Sequence, residues 1–363
     1  MANTQDQHPD HLVADDEALG SEADLESLHS DITSVRSSIR EYRLENGRSY
    51  HRYREGKYAW PNDERENDRH DMQHEICNAT FDHKLGFAPP CDEDAKVGRV
   101  LDVGTGTGLW AIDYGDLHPE AEVLGVDLSP IQPEDVPPNV RFEVDDLEDE
   151  WLYSRPFDYI HSRFMNGSLA NWEKFLTQAY QHLTPGGYLE LQEGDFTFEC
   201  DDGTLTPEQP LYEFGKLIRE ALEKFGRRFV PCPELIPLLI DVGFEDVAIK
   251  KFKWPSNPWP KDPYHRRIGE WNYHNFPDAA EAMAMAPLTR GHGWTKEEVQ
   301  VFTIGVRKDM RDPRIHAYMP VYVITGRKPL KEATPAPPQE PTEGDDVAPA
   351  TDATPAPNST TPQ

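Results

Sequence analysis

The residues best suited to chemistry gather in one stretch. An apolar run, Val100–Val103, leads into Gly104-Thr105-Gly106-Thr107-Gly108 and then into an apolar helical pattern through Leu109, Trp110 and Ile112. Glycine accepts positive φ and lets a ligand approach the backbone closely, so such a strand–turn–helix suits a nucleoside-type ligand. A glycine repeat alone is weak evidence, and the acids around it decide the reading. The spacing is GxGxG, not the GxGxxG of a dinucleotide turn. Asp102 stands two residues before the first glycine, where it would repel a diphosphate at the helix N-terminus. A nucleoside with a cationic amino-acid end and no phosphate fits that place, directly or through water.

The next two strands supply the matching acids. Asp127, followed by Leu128, closes a strand 19 residues after Gly108, where a carboxylate reaches both hydroxyls of a ribose. The segment VRFEVDDLED ends in Asp145-Asp146, which sets Asp146 to accept from an adenine amino group with Leu147 against the ring. Singly, each has a plainer reading: Asp102 as a helix cap, Asp127 as a turn residue, Glu143–Glu150 as a solvated loop. In order at successive strand ends, they specify S-adenosylmethionine. The expected contacts are Asp102, Gly104, Thr105, Gly106, Gly108, Asp127, Leu128, Asp145, Asp146 and Leu147, joined by His161 and Ser162 from the fourth strand. His161 reads as a catalytic base or cofactor contact, or more plainly as a hydrogen-bonded wall residue. Methyl displacement at a sulfonium needs alignment and exclusion of water, and a base only where the acceptor must lose a proton. No catalytic triad and no metal site are expected.

The elements that must hold these residues alternate. Strand-like runs occur at Arg99–Gly104, Glu122–Leu128, Val140–Asp145, Phe157–Arg163, Gly187–Glu193, Phe244–Trp254 and Pro320–Lys328, with helical patterns such as Ala170–Leu183 and Pro210–Phe225 between them. Alternation of this kind predicts an α/β fold, a Rossmann-like doubly wound sheet of seven strands. Leu183-Thr184-Pro185-Gly186-Gly187 reads as a helix stop and tight turn. An insert, residues 255–314, separates the last two strands, and Thr295 with Glu298 forms a capping box for a helix through about Asp309. The insert's aromatic stretch offers acceptor-side candidates Trp271, Tyr273 and His274, besides His265 and His292. Tyr53 and Trp60, with Tyr50 and Tyr58, join them from a segment too rich in Tyr, Trp and His for a linker. That segment, residues 41–98, is expected to form a helical lid over the cofactor or to pack on the outer helices.

Composition bounds the rest. The 363 residues hold 66 acids against 36 Lys and Arg, a formal net charge of −30, which argues against sequence-independent binding to nucleic acid. Residues 1–40 are acidic, with no Lys or Arg before residue 31, and residues 331–363 are rich in Pro and Thr. Both read as disordered tails around a methyltransferase domain at 99–330. A helical stretch is expected near Asp24–Arg43. Cys77, Cys91, Cys200 and Cys232 are widely spaced and read as reduced thiols of an intracellular protein, cytoplasmic or nuclear. No signal-peptide pattern and no long apolar run point to secretion or a membrane, so the sequons at Asn78, Asn166 and Asn358 read as chance matches.

The motifs DVGTGTG, GVDLS and LTPGGYLELQE resemble those of class I methyltransferases. The upstream GRSYHRYREGKYAWPNDERENDRHDMQHEI, the HSRF segment and Gly293-Trp294 narrow the resemblance to the fungal LaeA-like methyltransferases, over about Asn46 to Pro329. The resemblance implies an enzyme acting on a secondary metabolite or a protein. It also implies the alternative of a cofactor-binding subunit in a nuclear complex with a velvet-type protein, with little turnover.

Overall fold

The computed structural model describes residues 42–51 and 59–330. Tyr53, Tyr58, the two expected tails and most of the expected helix at Asp24–Arg43 lie outside the described residues.

The described chain opens with a hairpin, β1 (Tyr42–Glu45) against β2 (Arg48–His51), turning through Asn46 and Gly47, both at positive φ. The segment expected to form a helical lid, residues 41–98, therefore opens with a hairpin. Helix α1 (Glu64–Thr80) follows, with the Asp63 carboxylate accepting from the Glu66 N–H and acids in its first turn, an arrangement that opposes the partial positive charge of the helix end.

Seven strands then form one sheet: β3 (Arg99–Val103), β4 (Glu122–Asp127), β5 (Val140–Val144), β6 (Phe157–Arg163), β7 (Leu183–Gly194), β8 (Glu245–Pro255) and β9 (Tyr318–Arg327). Their order is β5-β4-β3-β6-β7-β9-β8. Pairing is parallel from β5 to β7, and β9 runs antiparallel between β7 and β8. All seven strands fall on the expected runs, with one correction. The segment Leu183–Gly187 belongs to β7, pairing at Phe157↔Leu183, while Gly186 turns the chain at φ +83.

Strands buried on both faces read as continuous apolar runs. Along β3, Leu101 and Val103 pack beneath the sheet with α3 (Trp172–His182) and α5 (Leu235–Val242), while Val100 faces α2 (Leu109–Leu117) above. A third core joins α1, α4 (Pro210–Lys224), α6 (Pro263–Gly291) and α7 (Lys296–Arg311) with Trp254, Val321 and Val323 of β8 and β9. The insert is thus largely two helices. Among the described residues no helix is long and apolar enough to cross a membrane.

The capping box expected at Thr295 is present in both directions: its hydroxyl accepts from the Glu298 N–H and the Glu298 carboxylate accepts from the Thr295 N–H. Thr295→Ala is expected to cost about 1 kcal/mol, read as a lower urea midpoint with an unchanged slope.

Candidate active site

A cleft with about 1260 Å³ of free space, its mouth included, opens beside the carboxyl ends of β3 and β6, where the strand order reverses. Ligands of open α/β sheets bind at this place. Register sets Asp102 directly beside His161, so their side chains leave the same face. Asp102 is 3% exposed and its charge needs partners. Its Oδ2 accepts from the Thr105 hydroxyl at 2.6 Å and its Oδ1 meets His161 Nδ1 at 2.7 Å. Since a carboxylate only accepts, the imidazole proton belongs on Nδ1. The ring lies flat on Trp110, centroids 3.7 Å and planes 6° apart. Burial lowers its pKa, and the Asp102 hydrogen bond opposes that shift. His161 is thus clamped at Nδ1 and across its ring face, with an Nε2 that has no protein partner.

The three glycines of the turn are all left-handed, at φ +68, +56 and +86, but they serve different needs. A Cβ on Gly104 would strike Met165, and one on Gly108 would meet the Phe142 ring at 2.5 Å. A Cβ on Gly106 would meet nothing closer than His70 Nδ1 at 3.9 Å. Gly106 is therefore the position that keeps open the space beside the backbone. Gly108 packs against Phe142 and does not line the cleft.

Asp127 ties this turn to β4. Its Oδ2 accepts from the Gly106 N–H at 3.0 Å and its Oδ1 from the Ser129 N–H at 2.9 Å. The Leu128 N–H also bonds to this carboxylate, and the residue lines the cleft. Burial raises its pKa, in spite of three backbone N–H donors. Asp146 is buried, with Oδ1 accepting from the Glu148 N–H at 3.0 Å, and the Leu147 carbonyl accepts from the Trp151 indole at 3.0 Å. Thr105, Leu128, Asp146 and Leu147 all line the cleft. Asp145 does not: it is exposed, and its carboxylate accepts from the Asp146 N–H at 2.8 Å. Ser162 does not either, because alternation along β6 sends it to the face opposite His161, where it is wholly buried.

The acceptor-side candidates divide. Trp60 is buried and lines a second cavity. On α6 the inward face falls at Asn272, Asn275, Phe276, Ala279 and Ala280, so helical spacing turns the expected residues elsewhere. Trp271 is 39% exposed, His274 is exposed, and Tyr273 lies under the Arg311 guanidinium; none lines either cavity. His265 meets the α6 cap residue Asp262 at 2.7 Å, and His292 lies 3.1 Å from the Leu217 carbonyl.

Two groups were not anticipated. From α1, Asn67, His70, Gln73 and His74 reach the cleft; their spacing of three and four is the only trace in the sequence. From β6, Arg163 lines the cleft, with Nε donating to Gln192 at 2.8 Å, Nη1 3.2 Å from His74 Nδ1, and Nη2 buried without a partner. Among the described residues no cluster of His, Cys, Asp and Glu is arranged to hold a metal, and all four cysteines are free thiols.

An open glycine turn, a cleft-lining carboxylate at the end of β4, a buried acid and apolar residue at the end of β5, and a guanidinium with Nη2 free fit an adenosine with a zwitterionic amino-acid arm. Fold and site together define an S-adenosylmethionine-dependent methyltransferase of the class I type. Residues 69–248 match a family model described as a methyltransferase domain. The chain is 42% identical to "Methyltransferase pytC" of Aspergillus terreus over 84% of this chain and 94% of that protein. It is 39% identical to "Secondary metabolism regulator LAE1" of Cochliobolus heterostrophus over 79% and 94%. It is 33% identical to "Protein-methionine methyltransferase laeA" of Emericella nidulans over 83% and 80%. The chain belongs to the LaeA-like methyltransferases.

His70 generates a test of the site's electrostatics. Desolvation first, then the nearby Arg69 charge, lowers its pKa to about 4, against an opposing pull from Glu66. The unfolded chain therefore binds the extra proton while the folded one does not, and stability falls as pH drops from the ordinary histidine value toward about 4. His161 acts in the same direction. His70→Gln is expected to flatten this loss by up to about 1.4 kcal/mol per pH unit, measured by urea unfolding at stepped pH.

Proposed function

We propose that this methyltransferase acts inside the cell, in cytoplasm or nucleus, on a small molecule of secondary metabolism. The observation that carries the reading is the roof of the cleft: Pro61, Asn62 and the α1 residues Asn67, His70, Gln73 and His74 wall it, leaving room for a small acceptor. S-adenosylmethionine, when bound, supplies a methyl group on a positive sulfonium, which leaves alignment and dryness as the protein's main tasks. Asp127 accepts from the ribose hydroxyls, Asp146 and Leu147 hold the adenine, and Gly106 admits the nucleoside to the backbone. Arg163 pairs through Nη2 with the carboxylate of the amino-acid arm. Asp102 lines the cleft and holds Thr105 and His161 in place beside the amino-acid arm. His161 positions and desolvates and does not take a proton.

A second reading has its own support. Relatives carry the names of secondary metabolism regulators and of a protein-methionine methyltransferase, and Met165 itself lines the cleft. In this reading the acceptor is a protein methionine, and the chain works within a regulatory complex with a velvet-type partner. Incubation with S-adenosylmethionine alone distinguishes the two: intact mass unchanged supports the small acceptor, and a gain of one methyl supports the second reading.

Calorimetry tests the donor site directly. S-adenosylhomocysteine is expected to bind and NADH to be inert. Asp127→Ala should weaken the former by about 10- to 100-fold, the loss of one or two charge-assisted hydrogen bonds. Unchanged affinity in that variant removes Asp127 from the ribose contact.

A further inference from the structure

The second cavity lies against the cleft and shares His70, Gln73 and Phe164 with it. It holds about 710 Å³ of free space, open solvent at its mouth included. Phe196, Phe198, Phe214 and Phe276 form much of its wall. Trp60 stands edge-on to Phe196 at 6.3 Å, and Phe198 edge-on to Phe276 at 5.3 Å. Methionines 283, 310 and 319 fill the gaps, as flexible side chains that conform to ring edges. Of the five α6 residues that line it, Asn275, Phe276, Ala279, Ala280 and Met283, the two alanines leave space open where a larger residue would close it. Protein interiors are close-packed, and aromatic walls around free space forgo dispersion contacts that an occupant would restore.

The polar groups of the cavity satisfy one another. Arg69 Nε donates to Glu66 at 2.8 Å, and its Nη1 reaches Gln73 and, at 3.4 Å, Asn275. No unpaired charge is left among these groups to attract a charged ligand. The seam with the cleft is different. His70 has Nε2 3.5 Å from Glu66 Oε1 and Nδ1 toward Gly106. Beside it Phe164 is held left-handed at φ +54, its N–H bonded to the Gln192 carbonyl at 2.9 Å. A bulky residue pays about 1–2 kcal/mol for that conformation, and such strain collects where geometry serves a site.

We propose that this second cavity is the acceptor chamber and takes a flat, apolar small molecule, an aromatic or conjugated ring system bearing one hydroxyl that meets His70 at the seam. The assignment rests on the reading of the neighbouring cleft as the donor site. Burial of the walls argues for a small molecule over a protein segment: Phe214, Met310 and Met319 are each 5% exposed or less, so a main chain finds no groove to lie in.

The test uses the full chain with 2-naphthol as probe, followed by tryptophan fluorescence and equilibrium dialysis, and S-adenosylhomocysteine followed separately by calorimetry. The expected result is that 2-naphthol binds and N-acetylmethionine methylamide does not. Ala280→Phe, which fills the chamber, should weaken naphthol at least about tenfold while leaving S-adenosylhomocysteine within about twofold. Phe214→Ala, which removes bulk and keeps the test open if Ala280→Phe does not fold, should shift preference from 2-naphthol toward 2-anthrol. Naphthol binding that is absent or indifferent to Ala280→Phe overturns the proposal, as do an unshifted preference in Phe214→Ala and binding of the methionine derivative instead. Loss of S-adenosylhomocysteine binding in the unaltered chain fails the donor reading and is seen in a separate measurement.

Discussion

A carboxylate buried at the end of a central strand must be met by donors from whatever lies beside it, and Asp102 meets that demand with Thr105 and His161. Thr105 belongs to the glycine turn, so one bond fixes the course of the loop. His161 belongs to the neighbouring strand, so the other spans the point where the sheet reverses its order. The stacked Trp110 brings in the first turn of α2, and its indole donates to the Leu85 carbonyl at 2.9 Å, tying in the chain ahead of β3. Four segments thus converge on a single charge. Removing one partner would leave a buried carboxylate oxygen without its donor, which costs about 1–3 kcal/mol or more. Such an arrangement is rigid, and rigidity is what an alignment-driven reaction requires.

The same device recurs on β7, where acids stand in place of apolar residues. Glu190 is wholly buried and accepts from the Phe87 and Ala88 N–H groups, with Gln192 Nε2 donating to it at 2.8 Å. Glu193 accepts from the Met165 and Asn166 N–H groups at 2.9 and 3.0 Å, and burial pushes its carboxyl up to about 8 against those donors. Each carboxylate pins a loop that would otherwise bury unpaired backbone donors. The loop after β6 carries Met165 into the cleft, so Glu193 shapes the site without lining it.

Much of the donor half was legible because it follows from local rules. Strand periodicity, glycine at positions of positive φ and acids at strand ends are properties of short windows, and all seven strands were found where those rules put them. What short windows do not carry is which face a residue takes when its element is long. Trp271, Tyr273 and His274 were singled out for their chemistry, yet α6 runs unbroken for 29 residues through Pro277 and Pro287, and its phase turns Asn275, Phe276, Ala279 and Ala280 inward instead. Prolines ordinarily argue for a helix end, which hid both the length and the phase. Ser162 was a neighbouring error of phase on a strand. Arg163 and the polar strip of α1 escaped because their roles arise only when elements far apart in the chain meet, as when Arg163 reaches His74 across 89 positions.

The two halves of the site are built by different means, and this separates their constraints. In the reading proposed above, main-chain groups and acids at the ends of β3, β4 and β5 form the donor side, where the sheet's own geometry dictates position. The second cavity is bounded by side chains from outside those strands, chiefly on α1, α4, α6, α7, β9 and the loops leading out of β6 and β7. Changes there alter the volume and lining of the chamber while leaving the bonds of Asp102 and Asp127 untouched, since none of their partners lines that cavity. His70, Gln73 and Phe164 are the exceptions, because they face both spaces. In the proposed reading, each of these three side chains serves the donor and the acceptor side at once, two of them from a peripheral helix.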